Sequence, residues 1–289
     1  MMAAVRFEDF SFHYPKSGQG LDRINLTVPA GSFTVLTGKN GSGKTTLCMA
    51  MTGLVPHFFG GSMSGQVVVA GQSTTGRTVA ETANGVGFVM EDYESQLVSL
   101  TVFDEVAFAM ENMAVPAELI RERVAAALAA VGLSGLENRE LSALSGGQKQ
   151  RLAVASVIAS QPRILVLDEP ASALDPEGAE ELYALLAQLN KKQGITVVVA
   201  EHELARALPY ADQIVVMASG QVAFEGTAAS VFEQMLSGQV YSSAVPALRR
   251  LKHLLETDAR RFSEWMTAEE AADEINDCLQ PVRRLSLSA

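Results

Sequence analysis

The second half of the chain alternates apolar strands with helices. RILVLDE (163–169) is followed by a helix opened by Asp175 and Pro176, then ITVVVAEH (195–202), a short helix and QIVVMASG (213–220). Strands apolar at nearly every position bury both faces, and a helix between successive strands is the connection that parallel pairing requires. This order predicts an α/β core. With 289 residues, 48% of them apolar, the chain has enough material for one large domain, alone or with an extension.

The N-terminal part has another rhythm. VRFEDFSFHY (5–14) alternates apolar and polar residues, INLTV (24–28) is a second strand, and the Pro29-Ala30-Gly31 turn leads into FTVLTG (33–38). A glycine-rich loop and an apolar helix from Lys44 to Gly53 follow, then short strands VVVA (67–70) and GVGFVM (85–90). Helical periodicity runs from Thr101 to about Leu133, with Pro116 opening AELIRERVAAALAAVGL, and a further helix spans about Gly146 to Ser160. TAASVFEQM (227–235) reads as a last helix of the core.

Beyond Pro246 the character changes. ALRRLKHLLETDARRF is amphipathic, with Leu248, Leu251 and Leu255 on one stripe, and Thr267 with Glu270 forms a capping-box pattern. We read residues 1–240 as one domain and 241–289 as a helical extension whose stripe packs either on its own core or on a second subunit.

A net charge of −11 argues against a surface that neutralises nucleic-acid phosphates or sits on anionic lipid. Cys48 and Cys278 are distant and lack metal-ligand spacing, so the expectation is a reducing cytosol and no zinc site. The N-terminus lacks the basic-then-apolar order of a signal peptide, and no apolar run approaches the roughly 18 residues that cross a bilayer. Membrane contact is expected only through a protein partner.

Three stretches carry chemistry. GKNGSGKTT (38–46), between a predicted strand and a predicted helix, matches G-x-x-x-x-G-K-[ST]. Its candidate phosphate-binding residues are Gly38, Asn40, Gly41, Ser42, Gly43, Lys44, Thr45 and Thr46. Backbone N–H groups curl round a β-phosphate, Lys44 supplies a point charge, and the Thr45 hydroxyl suits Mg²⁺. ILVLDEP (164–170) puts Asp168 and Glu169 at the carboxyl edge of the sheet, where Asp168 suits the Mg²⁺ shell and Glu169 an attacking water. LSGGQKQR (144–151) puts Ser145, Gly146, Gly147 and Gln148 at the start of a helix, with Ser145 as cap, either as an ordinary loop-to-helix turn or as a second anion cradle.

These stretches, with SALD (172–175) and the histidine of VVVAEHE, resemble the ATP-binding-cassette ATPases in order and spacing across residues 3 to 235. The resemblance implies a nucleotide-binding domain with a P-loop α/β core, an N-terminal antiparallel β subdomain and a helical signature subdomain. It implies ATP and Mg²⁺ as cofactors, and a dimer in which Ser145, Gly146 and Gly147 of one chain bind the γ-phosphate held by the other. The partner is a second copy or a similar cassette. By the same resemblance His202 contacts the γ-phosphate and holds the water opposite Glu169, Tyr14 stacks on adenine, and Asp175 lies at the dimer seam.

ENMAVP (111–116), its preceding SLTVFDEVAFAM and the closing MTAEEAADEI resemble the energy-coupling-factor branch, whose ATPases drive uptake of vitamins and metal ions. That implies a peripheral position on the cytoplasmic face of a membrane, against integral subunits gripped by the loop near Glu91 to Gln96. In FVMEDYESQL (88–97) Glu91 falls where the family's magnesium-side glutamine is expected, a departure that adds a negative charge; alternatively Gln96 takes that role through a shifted loop. Asp92 and Glu94 read as solvated loop charges. The other readings are a conventional importer ATPase and a cassette ATPase with no transporter.

Overall fold

The computed structural model describes residues 2–83, 85–238, 240–256, 262–263 and 268–285. The chain divides into two compact units, Met1–Ala228 and Ala229–Ala289. The sequence boundary at 240 falls later, because the helix over TAASVFEQM groups with the second unit.

The first unit contains two sheets. One is antiparallel, in the order β2-β1-β4-β5, built from β1 (Ala3–His13), β2 (Gly20–Pro29), β4 (Ser62–Val69) and β5 (Gln72–Ser73). In β1, Val5 and Phe7 point inward, and so do Phe10 and Phe12, three and five residues after Phe7. A register shift between Phe7 and Phe10, with Asp9 at φ +46°, inserts the extra residue that keeps both pairs on one face.

The second sheet has the order β10-β9-β3-β8-β7-β6. Here β3 (Phe33–Gly38), β6 (Val86–Val89), β7 (Ile164–Asp168), β8 (Thr196–Ala200) and β9 (Gln213–Ala218) run parallel, as expected. Every residue of β3, β7 and β8 is buried, which the apolar runs require. Truncating a side chain such as the fully buried Leu36 to alanine would cost about 2–5 kcal/mol. Strand β10 (Gln221–Gly226) pairs antiparallel with β9 through Ser219 and Gly220 at φ +50° and +78°. The sequence reading did not separate it, since β10 is only partly buried and its side chains do not alternate cleanly.

The helices that position the site are α1 (Lys44–Met51), α2 (Tyr93–Gln96), α3 (Val102–Asn112), α4 (Ala117–Ala130), α5 (Gly146–Ile158) and α6 (Pro176–Gln193). The stretch from Thr101 to Leu133 is thus two helices, parted before Pro116, whose fixed φ and missing N–H suit a helix start. Helix α6 carries its stops in sequence. The Asp175 side chain accepts from the Gly178 amide at 2.8 Å, Pro176 occupies the first turn, and Gly194 closes the helix at φ +69°.

This topology decides where chemistry collects. Strands β3, β8, β7 and β6 are adjacent and parallel, so the segments that leave their carboxyl ends share one edge. Those segments carry, in that order, the glycine-rich loop, His202, Glu169 and Glu91.

The second unit contains α7 (Ala228–Ser237), α8 (Ala247–Leu255) and α9 (Ala268–Leu285). Phe262 and Ala271 are buried in a small cluster, against which Leu248, Leu255 and Ile275 pack. Two leucines of the amphipathic stripe are therefore used within the unit, while Leu251 and Leu254 stay exposed. The capping partner Thr267 lies outside the described residues.

Candidate functional site

The glycine-rich loop links β3 to α1 through backbone that only glycine accepts. Gly38 has φ +149°, and a Cβ there would stand 2.3 Å from the Met217 carbonyl oxygen; Gly43, at φ +105°, caps α1. Lys44 opens the helix with its side chain folded back over the loop. Its Nζ donates to the carbonyls of Gly38 at 3.0 Å and Lys39 at 3.5 Å and lies 3.4 Å from Nδ1 of His202. Burial lowers the Lys44 pKa, and the charges of Glu169 and Asp168 oppose that.

Strand β7 ends in two carboxylates with opposite surroundings. Asp168 is 1% exposed, and among the described residues neither of its oxygens has a hydrogen-bond partner of ordinary geometry. Burial pushes its carboxyl up to about 6; the Thr45 hydroxyl pulls the other way, the Glu91 and Glu169 charges add to the rise, and Lys44 opposes it. Glu169 turns the chain at φ +49°, a strained conformation for a non-glycine residue, and its N–H donates to Ala200 at 3.0 Å. The turn brings its Oε1 to 2.5 Å from Nε2 of His202.

An ammonium only donates, so Nδ1 of His202 is the acceptor from Lys44 and Nε2 carries the proton directed at Glu169. The strand-end histidine is thus part of a Lys44–His202–Glu169 chain.

A groove of about 420 Å³ lies over these groups. Among the residues anticipated from sequence, Tyr14, Asn40, Gly41, Gly43, Lys44, Thr45, Thr46, Glu91, Glu169 and His202 line it. Gly38 and Asp168, which end β3 and β7, and Ser42 of the glycine-rich loop are not among the lining residues. Ser17, Gln19 and Gly20, at the β1–β2 turn, line it too; nothing in that polar turn marks them in sequence. Tyr14 sits against Phe12 and Phe59, with its hydroxyl 3.3 Å from Oγ1 of Thr46.

The two candidates in FVMEDYESQL separate clearly. Glu91 lines the groove. Gln96 does not, because its amide continues the ladder of β6: Oε1 accepts from Met90 N–H at 3.1 Å and Nε2 donates to the Phe88 carbonyl at 3.0 Å. The reading of Asp92 and Glu94 as merely solvated charges needs correction. Asp92 caps α2 by accepting from Ser95 N–H at 3.3 Å, and Glu94 pairs with Lys149 of α5 at 2.9 Å.

Ser145, Gly146, Gly147 and Gln148 do not line the groove of their own chain. They form the N-terminus of α5, held by a reciprocal capping box: Ser145 Oγ accepts from Gln148 N–H at 3.3 Å, and Gln148 Oε1 accepts from Ser145 N–H at 3.0 Å. Ser145 and Gly146 are exposed.

The donors around Asp168 suit Mg²⁺. A buried carboxylate with both oxygens unpartnered is costly unless a cation answers it, and Thr45 and Glu91 stand close enough to act on its titration. One or two carboxylates, a hydroxyl and substrate phosphates are the usual Mg²⁺ surroundings.

A family model described as ABC transporter matches residues 21–172, more than half of the chain. This chain belongs to the ABC transporter family. A Pyrococcus horikoshii protein assigned as an ABC transporter ATP-binding protein is 42% identical over 235 residues, 81% of this chain and 83% of its own. A counterpart from Streptomyces coelicolor is 42% identical over 96% of this chain, which spans 50% of that longer protein. Among solved structures, cbiO1 from Clostridium perfringens, described as part of the ABC transporter complex cbiONQ, superposes with a TM-score of 0.72 at 31% identity, over 89% of this chain and all of its own. A dimeric ATP-binding cassette bound to ADP and Pi gives 0.69 at 27% identity, over 77% of this chain and 98% of its own. The fold is therefore the ABC ATPase fold, and the ABC transporter ATPase binds and hydrolyses ATP. No helix among its described residues is long and apolar enough to cross a membrane.

Proposed function

We propose that this ABC ATPase is the energy-coupling subunit of a micronutrient importer of the energy-coupling-factor type, working as a dimer on the cytoplasmic face of a membrane. The observation that carries this reading is the likeness to cbiO1, which extends over the whole of that chain and over most of this one. The substrate, a vitamin or a transition-metal ion, is selected by a membrane partner.

In this reading the phosphates of ATP lie along the glycine-rich loop, with Lys44 on the β- and γ-phosphates and Tyr14 against adenine. Thr45, Asp168 and Glu91 would hold Mg²⁺, which would supply positive charge against the phosphates. Glu169 orients the attacking water and accepts its proton. His202 keeps the Glu169 carboxylate in place through Nε2 and turns toward the γ-phosphate. Ser145, Gly146 and Gly147 complete the site of the opposite chain, which accounts for an anion cradle that lies outside the groove of its own. Residues 1–240 act as the nucleotide-binding domain and 241–289 as an extension that supports pairing.

The membrane subunit docks on the loop from Glu91 to Gln96 and the segment beyond it. Val98 and Leu100, 64% and 83% exposed, and Phe108, 49% exposed, offer apolar surface there. Purification from gently solubilised native membranes tests the proposal. Recovery with a multi-span scaffold and a small substrate-binding membrane protein is expected; recovery without membrane partners would overturn it.

A further inference from the structure

Gln150 is 1% exposed, although it belongs to the signature stretch LSGGQKQR, whose Ser145 and Gly146 are at the surface. Its amide leaves α5 and enters the turn that follows β7. Nε2 donates to the Glu169 carbonyl at 3.4 Å and to Ser172 Oγ at 3.3 Å, while Oε1 accepts from Ala173 N–H at 3.0 Å. A buried primary amide with both ends engaged has one orientation, and that orientation ties three residues of a neighbouring loop to α5.

The residues it ties are those the site most needs fixed. Glu169 sits at φ +49°, a conformation that persists only where its surroundings impose it. Its own N–H is held by Ala200 of β8, and its carbonyl by Gln150. The backbone of the carboxylate opposite His202 is therefore clamped from two sides, one of them the helix that carries the anion cradle at its N-terminus.

We propose that Gln150 is a positioning residue for ATP hydrolysis: it sets the backbone of Glu169 and the Ser172–Ala173 turn from the signature helix, so that displacement of the signature cradle is passed to the hydrolytic carboxylate. In a head-to-tail dimer these two elements of one chain belong to different ATP sites, so Gln150 links the sites within each chain. The inference rests on the role of Glu169 proposed above.

Steady-state ATP hydrolysis by the full-length Gln150→Met and Gln150→Glu variants tests it, with vanadate trapping of ADP as a second readout. The methionine keeps volume without polar bonds; the glutamate keeps an acceptor for Ala173 but cannot donate to the Glu169 carbonyl. Both should lower kcat roughly ten- to hundredfold and vanadate trapping with it, as misplacement of a catalytic group does. KM for ATP should stay within about twofold, since only the hydrolytic step is affected. ATP-driven dimerisation of Glu169→Gln should be unaffected when Gln150→Met is added. Unchanged kcat in both variants would overturn the inference, and so would a parallel loss of kcat, ATP affinity and melting temperature. A Glu169→Gln protein with wild-type turnover would overturn the underlying reading and the inference with it.

Discussion

Nε2 of His202 stands 2.5 Å from Oε1 of Glu169, and on its other side Nδ1 faces the Lys44 ammonium at 3.4 Å. One imidazole thus touches both the cation expected on the phosphates and the carboxylate expected on the water. The segments that leave three consecutive sheet neighbours, β3, β8 and β7, supply the three groups, so their meeting follows from strand order.

Replacing His202 with alanine should reduce kcat by about 100-fold, within the range that positioned proton-transfer groups supply, and leave ATP binding nearly unchanged. Fluorescent-nucleotide titration beside steady-state turnover separates the two effects. A rise in KM with kcat preserved would mean that the histidine only binds.

Glu91 and Gln96 should respond differently to substitution. Glu91→Gln removes a charge that acts on Asp168, so the Mg²⁺ concentration for half-maximal turnover should shift. Gln96→Ala should leave that concentration alone and lower stability by about 2 kcal/mol, at roughly 1 kcal/mol for each of its two hydrogen bonds, to Phe88 and Met90. A Mg²⁺ shift confined to the Gln96 variant would place the metal-side role there instead.

Burial pushes the Glu201 carboxyl up to about 7, with the Tyr183 hydroxyl pulling it down and the charges of Glu169 and Glu203 against that of Arg206. Its folded pKa lies above the unfolded value near 4.5, so the folded state binds the extra proton between them. The associated stability is fully present below about pH 4.5 and is lost as pH rises through about 7. In metal-free buffer the melting temperature should fall across that window, and Glu201→Gln should flatten the fall. An unchanged profile in that variant would assign the effect elsewhere, Asp168 and Glu225 being further carboxyls raised in the same direction.

Much of this site was legible in the sequence because its chemistry is local. The loop from Gly38 to Thr46 must join a strand to a helix through left-handed backbone, and ILVLDE must end where a buried strand reaches the sheet edge. The α/β order was legible for the same reason, since strands such as TVVVA (196–200) and ILVLD (164–168) are buried on both faces. What escaped depends on contacts distant in the chain. Glu94 reads as a solvated charge until α5 brings Lys149 beside it, and Gln150 reads as one polar residue in a helix until the turn after β7 closes over it. Ser17 and Gln19 enter the groove only because the β1–β2 turn folds next to α1.

The central claim is that each ATP is enclosed by the phosphate loop and Glu169 of one chain and the Ser145 cradle of another. The most direct measurement is the sedimentation velocity of full-length Glu169→Gln with Mg-ATP, compared with the same variant carrying Ser145→Arg. We expect the single variant to lose turnover and sediment as an ATP-dependent dimer, and the added arginine to return it to monomer. A Glu169→Gln protein that stays monomeric in saturating ATP, or that dimerises equally well with the cradle blocked, would contradict the account.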